Sequence, residues 1–154
     1  MEVNGTNHQK IVNIDDLDVG DQDLIRKAVE ARNFAYCPYS NFAVGSALRT
    51  NTGEIFTGCN VENVAHSPGV CAERTAIVKA VSEGFTKFDA IAVVAYLEND
   101  FCTPCGVCRQ ALSEFASPDI KVFVAKPVAI RVLCTSVQEL LPYRFSPDKL
   151  QKQL

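Results

Sequence analysis

From Asp23 onward, Leu24, Ala28, Ala31 and Ala35 recur three or four residues apart, which predicts an amphipathic helix that ends before Pro38. The run FAVGSALRT alternates, with Phe42, Val44 and Ser46 on one side, and the turn Asn51-Thr52-Gly53 leads into a second strand-like run, EIFTGCNV. Together they predict a hairpin. After Ser67-Pro68-Gly69, the segment VCAERTAIVKAVSEG combines good helix formers with small residues at Ala72, Ala76 and Ala80 and stops at Gly84. This second helix opens on Cys71. The nearly unbroken apolar run DAIAVVAYL has the pattern of a central strand buried on both faces. A third helix, CGVCRQALSEFA, follows Pro104, where proline is tolerated ahead of the first hydrogen-bonded turn. KVFVA and AIRVL supply two more strands, and SVQELL a last helical turn or two before Pro142.

Helices thus alternate with strands, which predicts a single α/β sheet with helices packed on it. A chain of 154 residues is about one domain. Residues 1–20 are polar and acidic, with too few apolar positions to define a core face. They are expected to form an N-terminal extension whose first ten or so residues are a mobile tail, leaving 21–154 as the single domain. Hydrophobic residues make up 47% and charged residues 21% of the chain, an ordinary globular balance. No run approaches the ~18 apolar residues of a membrane span, and the start MEVNGTNHQK is not of secretory type. A cytoplasmic protein with no membrane partner is the expectation. The net charge of -3, from 15 basic and 18 acidic residues, argues against a groove that grips many phosphates, so no nucleic-acid partner is expected.

Seven cysteines in a chain of this length, in a reducing compartment, read as metal ligands or reactive thiols before disulfides. Cys105 and Cys108 stand three apart on one helix and share a face, while Cys71 opens another helix. Two helix N-termini can therefore aim three sulfurs at one point, and their partial positive charge favours the thiolates that Zn²⁺ needs. Three thiolates leave a tetrahedron one vertex short, the mark of a catalytic zinc. Glu73, two residues after a ligand, can then take a proton from water and hand it on. Three thiolates against one Zn²⁺ leave a formally -1 centre, which weakens the acidification of water. Arg74, adjacent to Glu73, is the side chain expected to drain charge by hydrogen-bonding the sulfurs.

A Cys₃ set with a nearby Glu and a Pro-Cys-x-x-Cys segment is the known signature of zinc deaminases. The chain resembles one family of them closely, the small homotetrameric cytidine deaminases. The resemblance runs from about Asp23 to Leu150, through CPYSNFAVGSAL, TGCNVEN, CAERTAIVKAVSEG, PCGVCRQ and VQELLPYRFSPDKL in that order. It implies a three-layer α/β/α sandwich with a mixed five-stranded sheet, and one Zn²⁺ per subunit. It also implies hydrolysis of free cytidine and deoxycytidine to the uridine counterparts with release of ammonia, a pyrimidine-salvage reaction. By position, Cys71, Cys105 and Cys108 match the family's zinc ligands and Glu73 its catalytic proton shuttle. Asn60 and Glu62 match side chains that hold the sugar hydroxyl, and Phe42 an aromatic packed on the substrate. Ala72 matches a residue whose backbone N–H faces the base. Phe145 matches one lent by a neighbouring subunit, so that active sites are shared within a homotetramer. His66 departs from the pattern, which often has tyrosine there.

Other arrangements compete. Cys102-x-x-Cys105-x-x-Cys108 with Cys71 could close a structural Cys₄ site, although that leaves Glu73 and Arg74 unexplained and puts Cys102 off the shared helical face. A redox pair at Cys105 and Cys108 is a second. Glu73 could be a solvated first-turn carboxylate, Asn60 and Glu62 could cap a turn, and Phe42 and Phe145 could be packing residues. A zinc-stabilised interaction module, a deaminase of cytidine within single-stranded nucleic acid, and a deaminase of a cytosine-bearing antibiotic nucleoside are the competing functions.

Overall fold

The structure, a computed structural model, describes residues 10–151. The expected mobile tail falls mostly outside them. The elements are β1 (Lys10–Asn13), a short 3₁₀ turn (Ile14–Asp16), α1 (Val19–Arg32), β2 (Val44–Thr50), β3 (Ile55–Cys59), α2 (Ala72–Ser82), β4 (Phe88–Ala95), α3 (Gly106–Ser113), β5 (Lys121–Ala125), β6 (Arg131–Ser136), α4 (Val137–Leu140) and α5 (Pro147–Gln151).

The strands form one mixed sheet in the order β1-β6-β5-β4-β2-β3. Only β4 and β5 run parallel; every other pair is antiparallel. A parallel pair needs a crossover, and α3 lies on it. The α/β sandwich is as expected, but the sheet has six strands where five were expected. The sixth is β1, inside the stretch read as an extension. It pairs with β6 through Lys10↔Cys134 to Asn13↔Arg131. Its four residues are exposed except for Val12, so the strand is held by its backbone ladder at a sheet edge and has too little apolar patterning to be read. Helix α1 also begins earlier than expected, at Val19, and stops at Arg32, short of Pro38. Strand β6 is displaced from 129–133 to Arg131–Ser136.

Side-chain alternation along β4 divides two cores. Ala90, Ala92 and Val94 face α1, where they pack with Ala47, Phe123, Leu24, Ile25 and Ala28. Ile91 and Val93 face the other way, against Leu48, Val122, Val124, Ala76 and Ile77 of α2, Leu112 of α3 and Val137 of α4. The nearly continuous apolar run of β4 is explained by this double burial; each of its large side chains contributes roughly 1.5–3 kcal/mol.

Gly58 sets the position of α2. A Cβ there would stand 2.4 Å from the Ala72 carbonyl oxygen and 2.6 Å from the Ala76 N. The first turn of α2 can therefore rest directly on β3 only because position 58 lacks a side chain. That turn carries Cys71, Ala72, Glu73 and Arg74.

Candidate metal centre and its cleft

Cys71 and Cys105 are the N-cap residues of α2 and α3, both with extended backbone and neither using its side chain as a cap. Their sulfurs are free to point away from the helices, and Cys108 follows inside the first turn of α3. Arg109 fastens that end of α3: its guanidinium donates to the Pro104 carbonyl at 2.7 Å, to Thr103 Oγ1 at 2.9 Å and to the Leu140 carbonyl at 2.7 Å. The α2 end is tied by Thr75, whose hydroxyl donates toward the Cys59 and Cys71 carbonyls, each at 3.1 Å.

The sulfurs of Cys71, Cys105 and Cys108 lie within 4.8 Å of one another, with Cys71 and Cys105 at 3.9 Å. Sulfurs at about 2.3 Å from a tetrahedral zinc stand about 3.8 Å apart, so the set fits Zn²⁺ with little adjustment. Cys102 is not part of the cluster. Burial pushes its thiol above the ordinary range, as expected of a packing residue.

The electrostatics suit a cation. Cys71 is held down to about 5, mainly by the hydrogen bond from Cys108 and further by Arg74 and Cys105. Cys108, sharing that proton, is pushed up by Cys71 and by burial. Cys71 and Cys108 thus compete for one proton in the way that a metal resolves. Arg74 donates from Nη2 to the Cys71 sulfur at 3.6 Å. Glu73 is 4% exposed, and burial raises its carboxyl above the usual range, with the Cys71 charge adding to the rise. Cys108 and Arg74 act in the opposite direction.

A cleft of ≈ 480 Å³ opens at Cys71 and runs between Asn60, Glu62, His66 and Ser40. This size suits a small organic ligand. Cys71 lines this cleft together with Asn60 and Glu62. Both ends of the Asn60 amide brace the chain ahead of β2: Oδ1 accepts from the Val44 N–H and Nδ2 donates to the Phe42 carbonyl, both at 2.8 Å. Glu62 accepts from the N–H groups of Tyr39 and Ser40, at 3.0 and 3.2 Å, and from the Ser40 hydroxyl. Phe42 is half-buried and Ala72 fully buried. Phe145 stands apart, 60% exposed, with its carbonyl held by Gln110 and Ser113. Ser40 and Arg109 were not singled out by sequence reasoning. Ser40 reaches Glu62, 22 residues away, and Arg109 reaches Leu140, 31 residues away, contacts beyond any local pattern.

The model of the cytidine and deoxycytidylate deaminase zinc-binding region matches residues 19–124. The chain is 45% identical over 129 residues to the cytidine deaminase of Sporosarcina psychrophila, covering 84% of this chain and 93% of that one. It is 42% identical over 129 residues to that of Halalkalibacterium halodurans, covering 84% and 96%. The 1.6 Å crystal structure of the Burkholderia pseudomallei cytidine deaminase superposes with a TM-score of 0.75 at 45% identity, over 80% of this chain and 97% of that one. With a sulfur triad on two helix caps, a buried glutamate beside it and these relatives, the chain belongs to the cytidine and deoxycytidylate deaminase family of zinc-binding hydrolases.

Proposed function

We propose that the protein hydrolyses free cytidine and deoxycytidine to uridine and deoxyuridine with release of ammonia, in pyrimidine salvage. The observation that carries the reading is a buried carboxylate, Glu73, two residues after Cys71, which belongs to a cluster of three thiols and lines a cleft that continues to Asn60 and Glu62. Cys71, Cys105 and Cys108 would hold one Zn²⁺, which when bound acts as a Lewis acid that makes water acidic at neutral pH.

Glu73 takes the proton from the attacking water and delivers it to N3 of the pyrimidine as C4 is attacked. It then passes a proton to the departing amine, serving as both base and acid. The burial of Glu73, which raises its carboxyl above the usual range, supports a role in proton transfer. The backbone N–H of Ala72 faces the base, Phe42 packs on it, and Asn60 and Glu62 receive the sugar. Arg74 withdraws charge from the sulfurs. Phe145, exposed in the single chain, enters the site of a neighbouring subunit in a homotetramer.

Among the described residues, no helix is long and apolar enough to cross a membrane. A cytoplasmic enzyme acting on a small nucleoside, with residues 21–154 as its single domain, is the reading we adopt. The test is to mix the purified protein with cytidine and follow the pyrimidine ultraviolet absorbance and ammonia release, then to repeat with a cytosine-containing oligonucleotide. Conversion of the nucleoside alone supports the proposal. Conversion of neither, or of the oligonucleotide in preference, overturns it. A solution mass of one subunit in the active enzyme would remove Phe145 from the site.

A further inference from the structure

The turn between α1 and β2 carries a hydroxyl that joins two walls of the cleft. Ser40 donates its hydroxyl proton to Glu62 Oε1 and accepts the Phe42 N–H at 3.1 Å. The second oxygen of Glu62 accepts the N–H groups of Tyr39 and Ser40. A carboxylate has about four acceptor positions, so three hydrogen bonds leave Glu62 one more to offer. Phe42 is gripped from both sides, its N–H by Ser40 and its carbonyl by Asn60 Nδ2 at 2.8 Å. Asn41 between them adopts a left-handed backbone, φ 55°, which asparagine tolerates well. Ser40 and Glu62 both line the cleft.

We infer that Ser40 is a positioning residue for nucleoside selection, because its hydroxyl holds the Glu62 carboxylate and the Phe42 backbone in one arrangement and leaves Glu62 a single acceptor position for a sugar hydroxyl. The inference rests on reading the cleft as a nucleoside site. It assigns substrate selection to a side chain that itself donates to protein and needs no contact with the reacting atoms. The depressed carboxyl of Glu62, caused mainly by Ser40, accords with this tie.

The test compares Ser40→Ala, Ser40→Thr, Glu62→Ala and the double variant Ser40→Ala/Glu62→Ala. Losing a hydrogen bond to a charged group predicts a KM for cytidine raised about tenfold in Ser40→Ala, with kcat within about twofold. Ser40→Thr, which keeps the hydroxyl, restores most of the KM. In the Glu62→Ala background, Ser40→Ala lowers kcat/KM by clearly less than it does in the wild type, because only the tie to the Phe42 N–H is then left to lose. Additive losses in the double variant, or a fall in kcat at unchanged KM, overturn the inference. If the wild type does not turn over cytidine, the functional reading fails by itself, and the Ser40–Glu62 tie is read by carbon-13 titration of the Glu62 carboxyl. That titration moves upward in Ser40→Ala and returns in Ser40→Thr; an unmoved titration overturns the inference.

Discussion

Arg74 lies with its Nη2 3.6 Å from the Cys71 sulfur, while its buried Nε has no hydrogen-bond partner among the described residues. A guanidinium committed to a sulfur in this way is expected to matter more to the three thiols than to the fold. Arg74→Ala is expected to keep the melting temperature of the metal-free protein within a few degrees while weakening zinc affinity or turnover about 10–100-fold. Chelator competition and steady-state rates check this, and unchanged values of both would discard the role.

Glu73→Gln keeps the shape of the side chain and removes its proton chemistry. Zinc content should stay at one per chain and turnover should fall about 10²–10⁴-fold. Elemental analysis beside the cytidine assay decides. Retained turnover would return Glu73 to the status of a first-turn carboxylate.

Gly58→Ala puts a methyl group into the backbone of α2, within 2.4 Å of the Ala72 carbonyl. Backbone cannot swing aside as a flexible side chain can, so a loss of stability of about 1–3 kcal/mol or more is expected, together with lower zinc affinity. Gly106→Ala, where a Cβ meets nothing within 4 Å, is the matched control and should be nearly neutral. Denaturant unfolding of both variants measures the difference.

Removing zinc by chelation should abolish turnover and lower the melting temperature. A ligand that binds only the folded state stabilises by about 4 kcal/mol when present at a thousand times its Kd. Restoring Zn²⁺ should recover both. A melting point indifferent to the metal would mean that the three sulfurs do not hold it.

Glu54 gives a pH dependence away from the site. The hydroxyl of Thr50, then that of Thr52, holds its carboxyl below the usual 4.5. A carboxyl depressed in the folded state adds stability above its unfolded pKa and loses it as pH falls through the folded value. The melting temperature of the wild type should therefore exceed that of Glu54→Gln near neutrality, and the gap should close on acidification below about pH 4. A gap that widens in acid would contradict the assignment.

Much of this was legible because the chemistry is local in sequence. Cys71 and Cys105 sit where a loop becomes a helix, and a stop–start pattern of Pro, Gly and apolar residues marks such points without any tertiary information. Strand β4 announced itself by being apolar on both faces. Strand β1 did not, since only Val12 of its four residues turns inward. Nor did the Ser40–Glu62 hydrogen bond, which forms only once the turn before β2 is folded back beside the segment after β3. The end of α1 was misjudged for a similar reason. Pro38 forbids a helix there, but Phe34 and Ala35 already close a turn onto Ala31 and Arg32, and Tyr36 pairs with Asn60 and Glu62 instead of continuing the helix.

The two caps that supply sulfur come from segments separated in the chain by the whole of β4. Neither cap acquires its aim until its helix has docked on the sheet, one of them through the bare backbone at Gly58. All three sulfurs therefore stand together only where both helices are in place. A nascent chain that captured Zn²⁺ through Cys105 and Cys108 alone would hold only one of the two segments that must converge.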